Sequence, residues 1–200
     1  SIQKRCLMHG TEVSYHKIMF QTVENIMHLI EKDDVPRYLL FLEDIFPYME
    51  KFHYQKGMKE ILRELKQLLK REHHGTDADQ ALLLDYQAAM EEKTEKAIRL
   101  EKEALMQIKE ITAENAHLVS NLHANLGGLY RMNGQAALAK EHMEKGLLLL
   151  EQYQLLPSND SLPQINNYAA LLTEMQEPDR AMSVLQKLAR IIKDYNSDHC

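Results

Sequence analysis

Two glutamate–histidine pairs come nearest to a catalytic motif in this 200-residue chain. Glu50–His53 and Glu114–His117 both follow the E-x-x-H pattern, which places the two side chains on one face of a helix. Two such pairs, with two further glutamates on facing helices, would form a di-metal carboxylate site in a helical bundle. Both pairs fall at predicted helix ends, however, and the chain is rich in glutamate, so chance occurrences are frequent. A di-metal enzyme is therefore only a remote alternative, and we expect no metal site.

Other motifs of catalysis and cofactor binding are missing from the sequence. It has no H-E-x-x-H motif, no glycine-rich phosphate loop and no G-x-S-x-G nucleophile turn. The two cysteines, Cys6 and Cys200, lie near opposite ends and provide neither a disulfide framework nor zinc-ligand spacing. So few cysteines are typical of a reducing compartment, so we expect a cytoplasmic protein. Because the motifs are missing, we expect no cofactor and no catalytic residue.

Composition and charge disfavour several classes of partner. Hydrophobic residues make up 44% of the chain, whereas glycine and proline number only 7 and 5, which favours a helical globular protein over an all-β one. Residues 1–75 carry 12 Lys and Arg against 11 Asp and Glu, and residues 76–200 carry 12 against 19. That balance provides no basic face for nucleic acid, and the apolar runs are too short to span a membrane. We expect neither as a direct partner.

Hydrophobic periodicity predicts helices along almost the whole chain. Residues 77–113 contain neither glycine nor proline, so the sequence leaves open one long helix or two helices joined by a turn near 92–95. Asp160 or Ser161 is the predicted cap of a later helix. The remaining predicted helices cover residues 12–32, 34–47, 57–75, 114–133, 136–155, 161–175 and 178–194.

Small and large residues recur at a spacing of 42 positions. The segments 125–147 and 167–189 align at this offset, which places Ala139 opposite Ala181, and one further step back reaches Ala97. Closely packed helices need small residues where their backbones cross and large residues on either side. A fixed period of such helical hairpins predicts a solenoid, in which each hairpin buries its apolar face against its neighbours.

One run of residues carries a resemblance to a known family: Asn125-Leu126-Gly127-x-x-Tyr130, then Gly134, Ala139, Met143 and Gly146. It resembles the signature of tetratricopeptide (TPR) repeats. The 42-residue period exceeds the usual length of about 34 and is similar to that of kinesin light chains and of bacterial peptide-pheromone receptors. The resemblance implies an all-α, right-handed α-solenoid of about nine helices in antiparallel pairs.

The implied organisation has two parts. Residues 1–75 would form N-terminal helices, as a degenerate repeat or a cap, and residues 76–200 would form TPR-like repeats at about 77–113, 117–155 and 160–194. The first of these repeats departs from the family pattern, because Asp85 occupies a slot for a small residue and Glu101 a slot that is usually apolar.

In TPR proteins the first helix of each repeat lines a concave groove, and an asparagine there often binds the backbone of a peptide. Leu83 and Tyr86 would make one end of that groove apolar, and Arg131 would meet a carboxylate or phosphate of the partner. The groove residues implied by the resemblance are Asn121, Asn125, Gly128, Arg131, Asn166, Asn167, Ala170 and Thr173.

The function that the resemblance implies is a scaffold that binds a protein or peptide partner and catalyses nothing. A peptide-sensing regulatory domain of a larger signalling or transcription regulator is the second hypothesis. The last predicted helix carries apolar residues that no later repeat would cover, among them Val184 and Ile192. We expect a truncated chain, which the absent initiator Met favours, a homodimer through this helix, or a tail of the chain folded over the face.

Overall fold

The computed structural model describes residues 39, 41, 45–46, 55–72, 75–158 and 161–198. Seven helices have defined bounds in this part of the chain: α1 Gln55–Glu72, α2 Asp77–Ala89, α3 Thr94–Gln107, α4 Ala116–Met132, α5 Ala136–Gln152, α6 Ser161–Glu174 and α7 Pro178–Asp198. The all-α prediction is confirmed for these residues.

The predicted count of about nine helices is not seen, because seven are bounded within the described residues. The predicted helix over 12–32 lies outside them. The open question about 77–113 is answered by two helices, α2 and α3, which are separated by a turn at 90–93.

The chain forms two compact units, Ser1–Asp79 and Gln80–Cys200, here called the first and second unit. In the first unit, the described part of α1 buries one face through Met58, Ile61, Leu62, Leu65 and Leu69. Their spacing of three or four residues is the period of a helix with one apolar face. The predicted domain boundary at 75/76 stays a prediction.

In the second unit, helices that follow one another along the chain pack against one another. Contacts join α3 to α4, α4 to α5, α5 to α6 and α6 to α7, and α4 also touches α6. This is the consecutive antiparallel pairing of a TPR-like fold. It makes α2, α4 and α6 the first helices of three successive pairs, and α3, α5 and α7 the second helices.

The 42-residue period is visible in the second helices, which begin at Thr94, Ala136 and Pro178. Three alanines that share one position of this period are buried, with Ala97, Ala139 and Ala181 exposed by 2%, 0% and 5%. Their small side chains let a first helix approach the backbone of its second helix.

Gly127 shows how closely α4 and α5 approach each other. A Cβ atom on this glycine would lie 2.5 Å from Cγ of Met143 and 3.2 Å from the carbonyl oxygen of Ala139. Gly127 and Met143 therefore form a small-against-large contact at the helix crossing. A buried cluster continues from this crossing to α6, and it includes Leu126 of α4 with Tyr168 and Leu172 of α6.

Capping residues determine where α6 begins. Ser158 Oγ accepts a hydrogen bond from the Ser161 N–H at 3.1 Å, and Ser161 Oγ accepts one from the Ser158 N–H at 2.8 Å. These reciprocal bonds form a capping box. The capping oxygen that the helix N–H bonds to belongs to Ser158 and not to the predicted Ser161, whereas Asp160 lies outside the described residues.

Helix α7 leaves apolar surface uncovered within the described residues. Met182 and Leu185 are 56% and 37% exposed, whereas Leu188 is buried. Val184 and Ile192, which were expected to be uncovered, are half-buried, and Val184 packs against the core cluster. The uncovered end of the array and the homodimer stay predictions.

Candidate functional site

The predicted groove residues of α4 form one stripe along the helix. Asn121, Asn125, Gly128 and Arg131 follow one another at steps of four, three and three residues, which places them on the same side. On α6, Asn167, Ala170 and Thr173 lie 42 residues after Asn125, Gly128 and Arg131, and Asn166 lies beside them; these four residues of α6 are exposed. We call these two stripes, together with Asp85 of α2, the first-helix face.

Asn125 is anchored by an acidic residue of the preceding first helix. Its Nδ2 donates a hydrogen bond to Oδ1 of Asp85 at 2.8 Å, although the asparagine itself is exposed. The bond joins α4 to α2 and fixes the orientation of the amide, because only its nitrogen can donate to a carboxylate.

Beneath Asp85 lies a second carboxyl group, that of Glu101 on α3. Glu101 is only 2% exposed, and its side chain hydrogen bonds with Asp85. Burial, together with the neighbouring charge of Asp85, raises the pKa of Glu101 to about 10, so it is protonated at neutral pH. Burial also raises the pKa of Asp85. The other oxygen of Glu101, Oε2, has no hydrogen-bond partner in the described structure.

The Asp85–Glu101 pair occupies the positions that Gly127 and Met143 occupy one repeat later. Asp85 lies 42 residues before Gly127, and Glu101 lies 42 residues before Met143. Gly127 packs against Met143, and Asp85 contacts Glu101 in the same way. Sequence reasoning found the two departures from the family pattern separately. The contact between Asp85 and Glu101 was not predicted, although the 42-residue register relates these two residues to Gly127 and Met143.

Arg131 already has a carboxylate partner within the chain. Its Nε donates to Oε2 of Glu174 at 2.9 Å, and its Nη2 contacts the other carboxylate oxygen. This bidentate pair joins α4 to α6. The predicted contact of Arg131 with a partner's carboxylate or phosphate is untested, and it would require Glu174 to release the guanidinium group.

Asn121 takes part in a polar network between α4 and α6. Its Oδ1 accepts a hydrogen bond from Nε2 of Gln164 at 2.7 Å, and the Ser120 hydroxyl lies 3.1 Å from Oε1 of the same glutamine. Ser120 also lies 3.0 Å from the carbonyl oxygen of Gly146 on α5. Sequence reasoning named Asn121 but missed Ser120 and Gln164, both of which are buried.

The remaining predicted groove residues leave space on the first-helix face. A Cβ atom at Gly128 would meet nothing within 4 Å. Thr173 donates its hydroxyl proton to the carbonyl oxygen of Ala169 at 2.9 Å, so its polar group is satisfied within its own helix. The apolar end predicted from Leu83 and Tyr86 was wrong, because these residues are buried at 5% and 8% exposure.

Two histidines meet between α4 and α5. Nδ1 of His123 lies 2.9 Å from Nδ1 of His142, so one ring donates to the other. Burial, then the neighbouring His142 and Lys145, lower the pKa of His123 to about 4. Among the described residues, no group of three or more His, Cys, Asp and Glu side chains could hold a metal ion.

Acidification is expected to destabilise the fold through this pair. Because the pKa of His123 is lower in the folded chain than its ordinary value of 6.5, its contribution to stability is complete above pH 6.5 and is lost as the pH falls toward 4. His123→Gln should therefore lose less stability over this range in pH-dependent urea unfolding. If the unfolding free energies of the two proteins fall equally with pH, the lowered pKa of His123 is contradicted.

No described helix is long and apolar enough to span a membrane. No protein-family model matches the chain, and no curated protein matches its sequence. The fold is nevertheless similar to that of MamA, a TPR-repeat protein. One crystal structure of MamA superimposes with a TM-score of 0.54 at 11% sequence identity, over 89% of each chain. A second gives 0.52 at 12% identity, over 90% of this chain and 93% of the other. The similarity establishes a TPR-like fold.

Proposed function

We propose that the protein is a scaffold that binds an extended or helical segment of a protein partner along the first-helix face and catalyses no reaction. The observation that carries the proposal is the exposed row of amides on neighbouring first helices, Asn125 on α4 and Asn166 and Asn167 on α6. An asparagine amide donates and accepts hydrogen bonds, so it can pair with a peptide unit whatever that unit's side chain.

The surroundings of these amides support backbone recognition. Gly128 and Ala170 carry little or no side chain at the centre of the two stripes, which lets a bound backbone approach the helices. Arg131 and Asn121 belong to the face, and their bonds to Glu174 and Gln164 hold α4 and α6 in register. A rigid face lowers the entropy lost on binding.

The kinesin-light-chain-like repeat type and a cytoplasmic location belong to this proposal. The second candidate function, a peptide-sensing regulatory domain, is favoured by the 42-residue spacing of the second helices, which resembles that of peptide-pheromone receptors. The two functions differ in what the same face binds, a segment of a protein or a free peptide, and the sequence of the full-length reading frame separates them.

The double substitution of Asn125→Ala and Asn167→Ala tests the proposed face. Binding of a partner captured from source lysate should weaken at least about tenfold, because two hydrogen bonds to the bound backbone are lost. The melting temperature should change by no more than a few degrees, since both residues are exposed and the only internal hydrogen bond removed among those described is that from Asn125 to Asp85. Affinity is measured by titration calorimetry against the captured partner.

Asn133→Ala is the matched control, because this exposed asparagine follows α4 and lies outside the stripe. It should bind as the unaltered protein does. Equal affinity of the double variant and the unaltered protein would refute the assignment of the face.

A further inference from the structure

We propose that the first-helix face selects a cationic group of the bound segment, a lysine or arginine side chain, which Asp85 and Asn125 hold at the centre of the face. The inference rests on the proposed function, because it names the chemistry of the partner that this face binds. It differs from the prediction made for Arg131, which expected an anionic group on the partner.

The charges of the first helices carry the argument. In the second unit, the only Asp, Glu, Lys or Arg residues on α2, α4 and α6 are Asp85, Arg131 and Glu174. Arg131 and Glu174 neutralise each other in a bidentate ion pair. Asp85 is half-buried, and no lysine or arginine among the described residues pairs with it. The face therefore has one uncompensated negative charge, and it lies beside Asn125.

The buried carboxyl group below Asp85 leaves the negative charge of the pair on Asp85. Glu101 is 2% exposed, yet its Oε2 has no hydrogen-bond partner among the residues that the structure describes. Two carboxyl groups in contact away from water are unfavourable unless they share a proton or receive a cation. Glu101 holds the shared proton and donates it to Asp85, so the negative charge of the pair lies on Asp85, beside the exposed Asn125.

The orientation of Asn125 matches a ligand that only donates hydrogen bonds. Because its Nδ2 donates to Asp85, its Oδ1 is the atom left to accept a bond from a ligand. Ammonium and guanidinium groups have several N–H donors and no acceptor. A lysine or arginine side chain would therefore bond both to Asp85 and to Oδ1 of Asn125.

A peptide library tests the inference. A phage-displayed library of random 12-residue peptides is selected separately on the unaltered protein, on Asp85→Asn and on Glu101→Gln. Asp85→Asn removes the charge but keeps an oxygen that accepts from Asn125. Glu101→Gln is the matched control, because its amide donates to Asp85 as the protonated acid does and leaves the charge of Asp85 in place.

We expect peptides selected on the unaltered protein and on Glu101→Gln to be enriched in lysine or arginine at one position. A synthetic peptide from this set should bind Asp85→Asn about tenfold more weakly, and replacing its basic residue with norleucine should cause a similar loss that does not add to the first. Binding should also weaken as salt concentration rises.

Three outcomes are distinguishable. If no peptide is enriched, or if the enriched peptides bind equally to the variant with Asn125→Ala and Asn167→Ala, the proposed function itself fails. If peptides bind the face but carry no shared basic residue, the cation inference alone is overturned. Equal affinity of Asp85→Asn and the unaltered protein for a basic peptide overturns it as well.

Discussion

Replacing Ala139 with glutamate is expected to unfold the second unit at room temperature. Ala139 is 0% exposed, and its backbone carbonyl lies 3.2 Å from the position of a Cβ atom on Gly127. A glutamate side chain has no room at this crossing and would bring a carboxylate into an apolar cluster. The loss in unfolding free energy should be at least about 4 kcal/mol. That approaches the whole stability of a domain at the lower end of the usual range of about 5–15 kcal/mol.

The measurement is thermal and urea unfolding followed by circular dichroism. Ala137→Glu is the matched control, because Ala137 lies in the same helix two residues earlier and is exposed. It introduces the same charge with nearly the same helix propensity, so its melting temperature should stay within a few degrees of the unaltered protein. Similar melting of the two variants would mean that the crossing does not need a small residue.

Replacing Glu101 with glutamine is expected to stabilise the protein, and the gain should grow with pH. The pKa of Glu101 is about 10 in the folded chain and has an ordinary value of 4.5. Below pH 4.5 the folded and unfolded chains both carry the proton, so no penalty exists. As pH rises from 4.5 toward 10, ionisation of Glu101 stabilises the unfolded chain, whereas the folded chain keeps Glu101 protonated. Stability of the unaltered protein therefore falls over this range.

Glutamine removes that linkage but keeps a donor for Asp85. The gain in unfolding free energy at pH 7.5 should be on the order of 2 kcal/mol, with a smaller difference at pH 5. Urea unfolding at a series of pH values measures it. Glu103→Gln is the control, because Glu103 lies on α3 but is exposed. A difference between Glu101→Gln and the unaltered protein that is independent of pH would contradict the buried, protonated carboxyl group.

Both predictions fall where a first helix crosses its second helix, and the two crossings differ in chemistry. At the α4–α5 crossing, Gly127 and Met143 bring the helices together through shape alone. The preceding repeat has Asp85 and Glu101 in these positions, at a loss of stability. Residues that lower stability without improving packing are frequently retained for binding. For this reason we propose that a positive charge of the partner binds at Asp85.

The sequence by itself determined the helical class and the repeat. Three alanines, Ala97, Ala139 and Ala181, recur every 42 residues, and all three are buried where helices cross. Local rules were sufficient here, because helix propensity and apolar periodicity act within a few residues, and a repeat copies the same packing. The position of the Ser158 cap was missed, since several residues near it have suitable side chains.

Only the tertiary structure decided the chemistry of the face. Leu83 was predicted to be open to a ligand and is buried, while Arg131 was predicted to be free for a ligand and is paired with Glu174, 43 residues away. Asp85, Glu101 and Asn125 come from three different helices, so their contact depends on how neighbouring hairpins are stacked. Side-chain partners and the pKa shifts they cause are set by distances across the fold, which periodicity along a single helix does not specify.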